Sequence, residues 1–328
     1  MTSHLVLLRR LVRRLVPARV SPSVATAVVL IGLTWLLVRD GYLADVAVGT
    51  MIAGFVAIGL RLLVGLAGQI SIGHAGFFAM GAYGSTLLCT RLEMASLAAI
   101  AIAAGAAAVV AVALGAAVLR LKGLYLAMAT LGFGTIVHVL VNTETTLTGG
   151  PDGMGVPVLS VLGFAVQGRG AWFALAAGLL LGGIVLSERV QRSAFGHALQ
   201  ATGASESAAA SCGVEVTGLK VKVFALSAAM ASLGGSLSAH HAGYVTPQVS
   251  SFTVSVEFLA MVIIGGSLSV LGPVFGAVVF TTLPIMLAAA PEGVQPMVFG
   301  ALLVAVLIAM PQGLEARLRS RLPSGPGR

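Results

Sequence analysis

The stretch that decides the fold is GQISIGHAGFFAMGAYG, residues 68–84. Its aliphatic and aromatic residues suit a lipid environment, yet five glycines share it with Gln69, Ser71 and His74. Glycine lets helix backbones approach closely. It also lets a helix unwind where the freed backbone groups line a cavity. Gln69, Ser71 and His74 are side chains suited to a solute path beside such a break. The alternative for the same residues is packing, with Gly73, Gly76, Gly81 and Gly84 as contact surfaces and His74 as a satisfied hydrogen-bonder between helices.

The rest of the chain sets the solvent. Of 328 residues, 58% are apolar and 9% charged, and the mean hydropathy is +1.02. A soluble domain is about a quarter charged. One compact core cannot hide this much apolar surface, so lipid is the solvent. The net charge of +8 sits on residues flanking apolar runs, with no aromatic-interleaved basic patch, which argues for a membrane and against nucleic acid. Cys89 and Cys212 are too few for a disulfide framework. The basic N-terminal stretch leads into an apolar run long enough to span, so it reads as a retained first helix and not a cleaved signal.

A spanning helix needs roughly 20 mostly apolar residues. About ten such runs occur, near 20–38, 46–66, 70–90, 94–118, 123–141, 171–187, 223–239, 254–270, 274–290 and 296–310. Threaded from a cytoplasmic N-terminus, they place sixteen Lys and Arg inside and three (Arg39, Arg91, Arg169) outside. That bias predicts both termini in the cytoplasm. The expected fold is therefore an all-α polytopic membrane protein. It divides into a basic cytoplasmic segment (1–22), a transmembrane domain (23–312) and a basic cytoplasmic tail (313–328).

Two polar segments interrupt the spans. The external one, 142–170, carries the turn chemistry Gly149-Gly150-Pro151-Asp152-Gly153. The cytoplasmic one, 188–222, lies between the sixth and seventh spans. Ser193 is expected to cap a short helix ended by Gly203. Ser205 is expected to cap a second, with Glu206 at its positive end and Gly213 closing it. Two capped helices on this side form a docking surface. A short repeat is also visible: GQISI (68–72) matches GSLSV (266–270) in glycine, polar, aliphatic, serine and aliphatic order, at the inner end of a tight helix pair each time.

Catalytic and nucleotide-binding patterns are lacking in the sequence. No lysine follows a glycine, so no Walker A loop exists. There is no Cys-x-x-Cys, and the adjacent His240 and His241 point to different faces and chelate poorly. Glu257 reads as an interfacial residue one turn into its helix, with a proton relay as the alternative. Nothing resembles a catalytic triad or acid–base pair, so the chain is read as a transporter and not an enzyme, with no cofactor of its own.

GLAGQISIGHAGFFAMGAYG (65–84), LKGLYLAMATLGFG (121–134), LTGGPDGM (147–154), RSAFGHALQATGASESAAASCGV (192–214) and GGSLSVLGPVFGA (265–277) occur in one order. Together they resemble the permease subunits of branched-chain amino acid ABC importers, nearer the LivM-like branch than the LivH-like one. The resemblance implies a bacterial plasma-membrane subunit that pairs with a LivH-like second permease. It also implies two ATP-binding ATPase subunits and an extracytoplasmic solute-binding protein. It implies alternating access along a path touched by Gln69, Ser71 and His74, with Gly68, Gly73, Gly76, Gly265, Gly266 and Gly272 as packing or unwinding glycines. Glu206, Ala208, Ala209 and Gly213 partly match the E-A-A…G pattern through which such permeases contact their ATPases. Branched-chain amino acids, urea, amides and small organic acids all remain open as solutes. A secondary carrier or channel working without ATPases is the competing class.

Overall fold

The computed structural model describes residues 21–37, 41–119, 123–161 and 164–286, with short pieces at 297–298 and 300–301. All but the last two residues of the basic N-terminal segment, most of the tenth predicted span and the basic tail lie outside the described residues. Nine of the ten predicted spans fall on helices. These are α1 (Pro22–Leu37), α2 (Gly41–Arg61), α3 (His74–Arg91), α4 (Ser96–Val118), α5 (Leu124–Thr143), α7 (Arg169–Arg192), α10 (Val216–Ala242), α11 (Phe252–Gly265) and α12 (Gly272–Met286). Three short helices connect them: α6 (Thr145–Thr148), α8 (Ala194–Ala204) and α9 (Glu206–Ser211).

Among the described residues, five helices are long and apolar enough to cross a bilayer: Gly41–Leu66, Ser96–Val118, Leu124–Thr143, Arg169–Arg192 and Val216–Ala242. Both α7 and α10 run past the predicted limits. In α7 the added turn is polar but keeps the helical path, with Arg192 reaching back to Glu188 at 3.8 Å, four residues earlier. By contrast, α11 and α12 hold 14 and 15 residues. At 1.5 Å per residue α11 is roughly 21 Å long, short of a hydrocarbon core of about 30 Å, and the described part of α12 is roughly 22 Å.

The core lies around α10, which packs along α3, α4 and α2. Phe55, Phe77, Phe224, Met230 and Phe258 fill it. The outer surfaces of α4 and α5 are apolar and exposed, including Val109, Met128, Ile136 and Val139. Exposed apolar side chains around an apolar core are the pattern expected when lipid replaces water.

At the far end from α8 and α9, the connecting loops make a thin cap. Strand β1 (Met154–Gly155) pairs antiparallel with β4 (Tyr244–Val245), and β2 (Ser160–Val161) pairs with β3 (Phe164–Ala165). Tyr244 donates its hydroxyl to the Asp152 carbonyl. The Gly149–Gly153 turn predicted from sequence is present, with Gly149, Gly150 and Gly153 all at positive φ.

Candidate functional site

The helical path is broken at the opening stretch, between the expected second and third spans, and the third helix starts four residues later than its expected residue 70. Residues 62–66 widen into a π-helix, and 68–73 are not helical. The helix resumes only at His74. A π turn re-aims a helix end and often marks functional positions. Gly68 makes the exit at φ +65°, a left-handed conformation that costs other residues about 1–2 kcal/mol. The GSLSV stretch repeats this construction: Gly266 has φ +106°, and α12 starts at Gly272. In both copies the helix begins six residues after the positive-φ glycine. The two breaks also meet, because the buried Arg61 donates to the Leu268 carbonyl at 2.9 Å. Arg61 donates as well to Ser187 Oγ and Gln191 Oε1 on α7, each at 2.9 Å.

Gln69, Ser71 and His74 are all buried, at 3%, 1% and 0% exposure. His74 Nδ1 and Ser71 Oγ are 2.9 Å apart, and Nε2 lies 2.7 Å from Ser227 Oγ on α10. The edges of Phe77 and Phe224 enclose the ring. Both ring nitrogens are therefore satisfied. Gln69 differs: its side-chain oxygen and nitrogen are buried with no hydrogen-bond partner among the described residues. Leaving such a group unpaired costs about 1–3 kcal/mol. Of the predicted glycines, Gly73 abuts the Thr130 carbonyl and Gly76 the Phe133 ring, while Gly265 and Gly272 face each other across the second break.

Beside the first break lies an open cavity of about 300 Å³. Its walls are Ile72 from the non-helical segment, Leu131, Gly134, Thr135 and His138 of α5, and residues 250–253 with Ser255 at the start of α11. His138 Nδ1 lies 2.9 Å from Ser250 Oγ, and Ser255 Oγ accepts from the Ala75 N–H at 3.1 Å. The lining thus combines hydroxyls and an imidazole with aliphatic surface, which suits a small solute with one polar and one apolar part. Sequence reasoning missed this wall. The available signals were Thr135 and His138, three residues apart on one face of an apolar helix, and the SSFTVS run at 250–255.

The capped pair sits at the opposite mouth of the break. Ser193 accepts from the Gly196 N–H and Ser205 from the Ala208 N–H, as the sequence predicts, and Gly213 follows the second helix at φ +82°. Gly203 departs from expectation. It does not end α8, which continues to Ala204; it provides a close approach. A Cβ built there would lie 2.6 Å from the Leu66 carbonyl oxygen, and a Cβ on Gly68 would lie 3.5 Å from the Gly203 Cα. Glu206 accepts from Lys220 Nζ of α10 at 2.5 Å, and Lys220 is almost wholly buried. Ala209 is buried, whereas Ala208 and Gly213 are exposed.

Comparison with known proteins matches the sequence to transport permeases. The family model described as branched-chain amino acid transport system, permease component, matches residues 42–308. The chain is 33% identical to the high-affinity branched-chain amino acid transport system permease protein LivM of Salmonella typhimurium strain LT2, over 90% of this chain and 75% of that protein. The figures for LivM of Escherichia coli strain K12 are the same. The autoinducer 2 import system permease protein LsrC of Salmonella paratyphi B is 26% identical over 62% of this chain and 58% of its own length. No solved structure matches. The chain is a multi-pass membrane protein and belongs to the permease-component family of branched-chain amino acid transport systems.

Proposed function

We propose that this chain is the LivM-like permease subunit of an ABC importer in a bacterial plasma membrane. It forms part of a translocation path for branched-chain amino acids or a similar small polar solute. A second, LivH-like permease completes the path, two ATPase subunits supply the energy, and a solute-binding protein delivers from outside. Ten apolar runs in the sequence, nine of which fall on described helices, and the bias of Lys and Arg between their flanks support a reading of ten spans with both termini in the cytoplasm. The observation that carries the reading is the position of residues 68–73, between a cavity of mixed polar and apolar lining at Ile72 and a capped helix pair at Gly68.

In this reading the cavity is one wall of the path. Gln69, Ser71 and His74 stand behind that wall and meet the solute when the break rearranges; the buried Gln69 amide then gains a partner. Ala208 and Gly213 contact the ATPase, Ala209 packs beneath them, and Glu206 fixes α9 to α10. ATP is bound by the partner subunits, not by this chain.

The test is reconstitution of the whole importer in proteoliposomes with labelled leucine, and with urea, an amide and a short organic acid as competitors. ATP-dependent uptake that requires the binding protein supports the reading. Uptake that persists without the ATPases assigns the chain to the secondary carriers.

A further inference from the structure

We infer that residues 68–73 are a strap through which the α8–α9 pair acts directly on the cavity, with Gly203 as the positioning residue at its inner end. The inference rests on the importer reading. Gly203 lies against Leu66 and Gly68, and Ile72 forms part of the cavity wall. Only three residues separate Gly68 from Ile72, an extended reach of at most roughly 14 Å. The strap is not helical, so no ladder of backbone hydrogen bonds stiffens it. Its outer end is held from the sides: the Ile72 N–H donates to Thr130 Oγ1 at 3.1 Å, and Ser71 pairs with His74.

A displacement of α8 therefore reaches Ile72 without any membrane helix moving as a rigid body. Lys220–Glu206 ties the same helix pair to α10, which carries Ser227, the partner of His74. The two routes converge on the foot of α3. The opposite cavity wall, Leu131 to His138, belongs to α5, which packs chiefly against α3 and the turn at residues 247–250. The strap is the wall that lies against α8, whereas α5 is joined to it at one remove, through the Ile72–Thr130 bond and through α3.

The experiment uses the assembled importer with Cys89 and Cys212 replaced by serine. Ile72→Cys and Thr135→Cys are introduced singly and labelled with a small thiol reagent, without nucleotide and after trapping with ATP and vanadate. The Ile72→Cys labelling rate is expected to change by about fivefold or more, the lower range for coupled sites, while Thr135→Cys changes little. Adding Gly203→Ala, whose methyl collides with the Leu66 carbonyl, is expected to abolish the Ile72 response. It also lowers the solute moved per ATP hydrolysed, a ratio that a mere loss of folded complex leaves unchanged.

Equal responses at both positions, no response at either, or an Ile72 response that survives Gly203→Ala overturns the strap. If Gly203→Ala does not assemble, the comparison of Ile72 with Thr135 decides alone. Failure of the parent complex to show ATP-dependent uptake sinks the importer reading instead.

Discussion

Lys220 Nζ and Glu206 Oε1 lie 2.5 Å apart, joining the first residue of α9 to the first turns of α10. Lys220 is 4% exposed and Glu206 31%. A half-buried pair of this kind fixes geometry, and removing one partner strands the other charge. The single changes Glu206→Lys and Lys220→Glu are each expected to lower uptake by about tenfold or more. The double exchange is expected to recover a large part of it. Measured uptake that is normal in either single variant places the role of Glu206 outside this pair.

Gly68→Ala and Gly105→Ala are the same chemical change with opposite expected signs. Gly68 has φ +65°, so alanine there costs about 1 kcal/mol or more. Gly105 lies inside α4, and a methyl group added to it would meet nothing within 4 Å, so alanine there adds about 0.5–1 kcal/mol of stability. Thermal unfolding of the purified subunit in detergent should show the midpoint falling for the first and rising for the second.

Ser227→Ala removes the hydroxyl that His74 Nε2 meets at 2.7 Å and leaves that nitrogen buried and unpaired. The expected cost is about 1–3 kcal/mol, read as a lower unfolding midpoint. Ser227→Thr, which keeps the hydroxyl, should recover most of the loss. An unchanged midpoint in Ser227→Ala shows that His74 does not depend on this bond.

Filling the cavity tests the path. Thr135 is on its wall, and Thr135→Phe places an aromatic ring in a space of about 300 Å³. Uptake should fall by about tenfold or more while the ATPase subunits still co-purify, since a lining contact sets solute passage and not docking. Full uptake in this variant removes the cavity from the path.

Much of this was legible in the sequence because it is local. Ser193 and Ser205 read as caps since a cap is settled within three residues. The GQISI and GSLSV stretches read as a repeat because they share the order glycine, polar, aliphatic, serine, aliphatic; the structure adds a positive-φ glycine ahead of a restarting helix in each copy. What was hidden depends on distant partners. Gly203 read as a stop because glycine commonly ends helices; only the neighbouring Leu66 carbonyl shows that the missing side chain serves a close approach. Lys220 and Glu206 are fourteen residues apart across a turn, a spacing with no local signature. His138 and Ser250 are 112 residues apart, so the cavity has no sequence motif of its own.

The most direct measurement uses a natural reporter, Cys212, which is exposed at the end of α9. With Cys89 replaced by serine, a membrane-impermeant thiol reagent is applied to intact cells stripped of their outer layers and to inverted membrane vesicles. Cys212 should react only in the inverted vesicles, and addition of the ATPase subunits should protect it. Labelling of Cys212 from the outside, or labelling from the inside that the ATPases do not slow, contradicts the assignment of this helix pair as the grip of an energy-supplying partner.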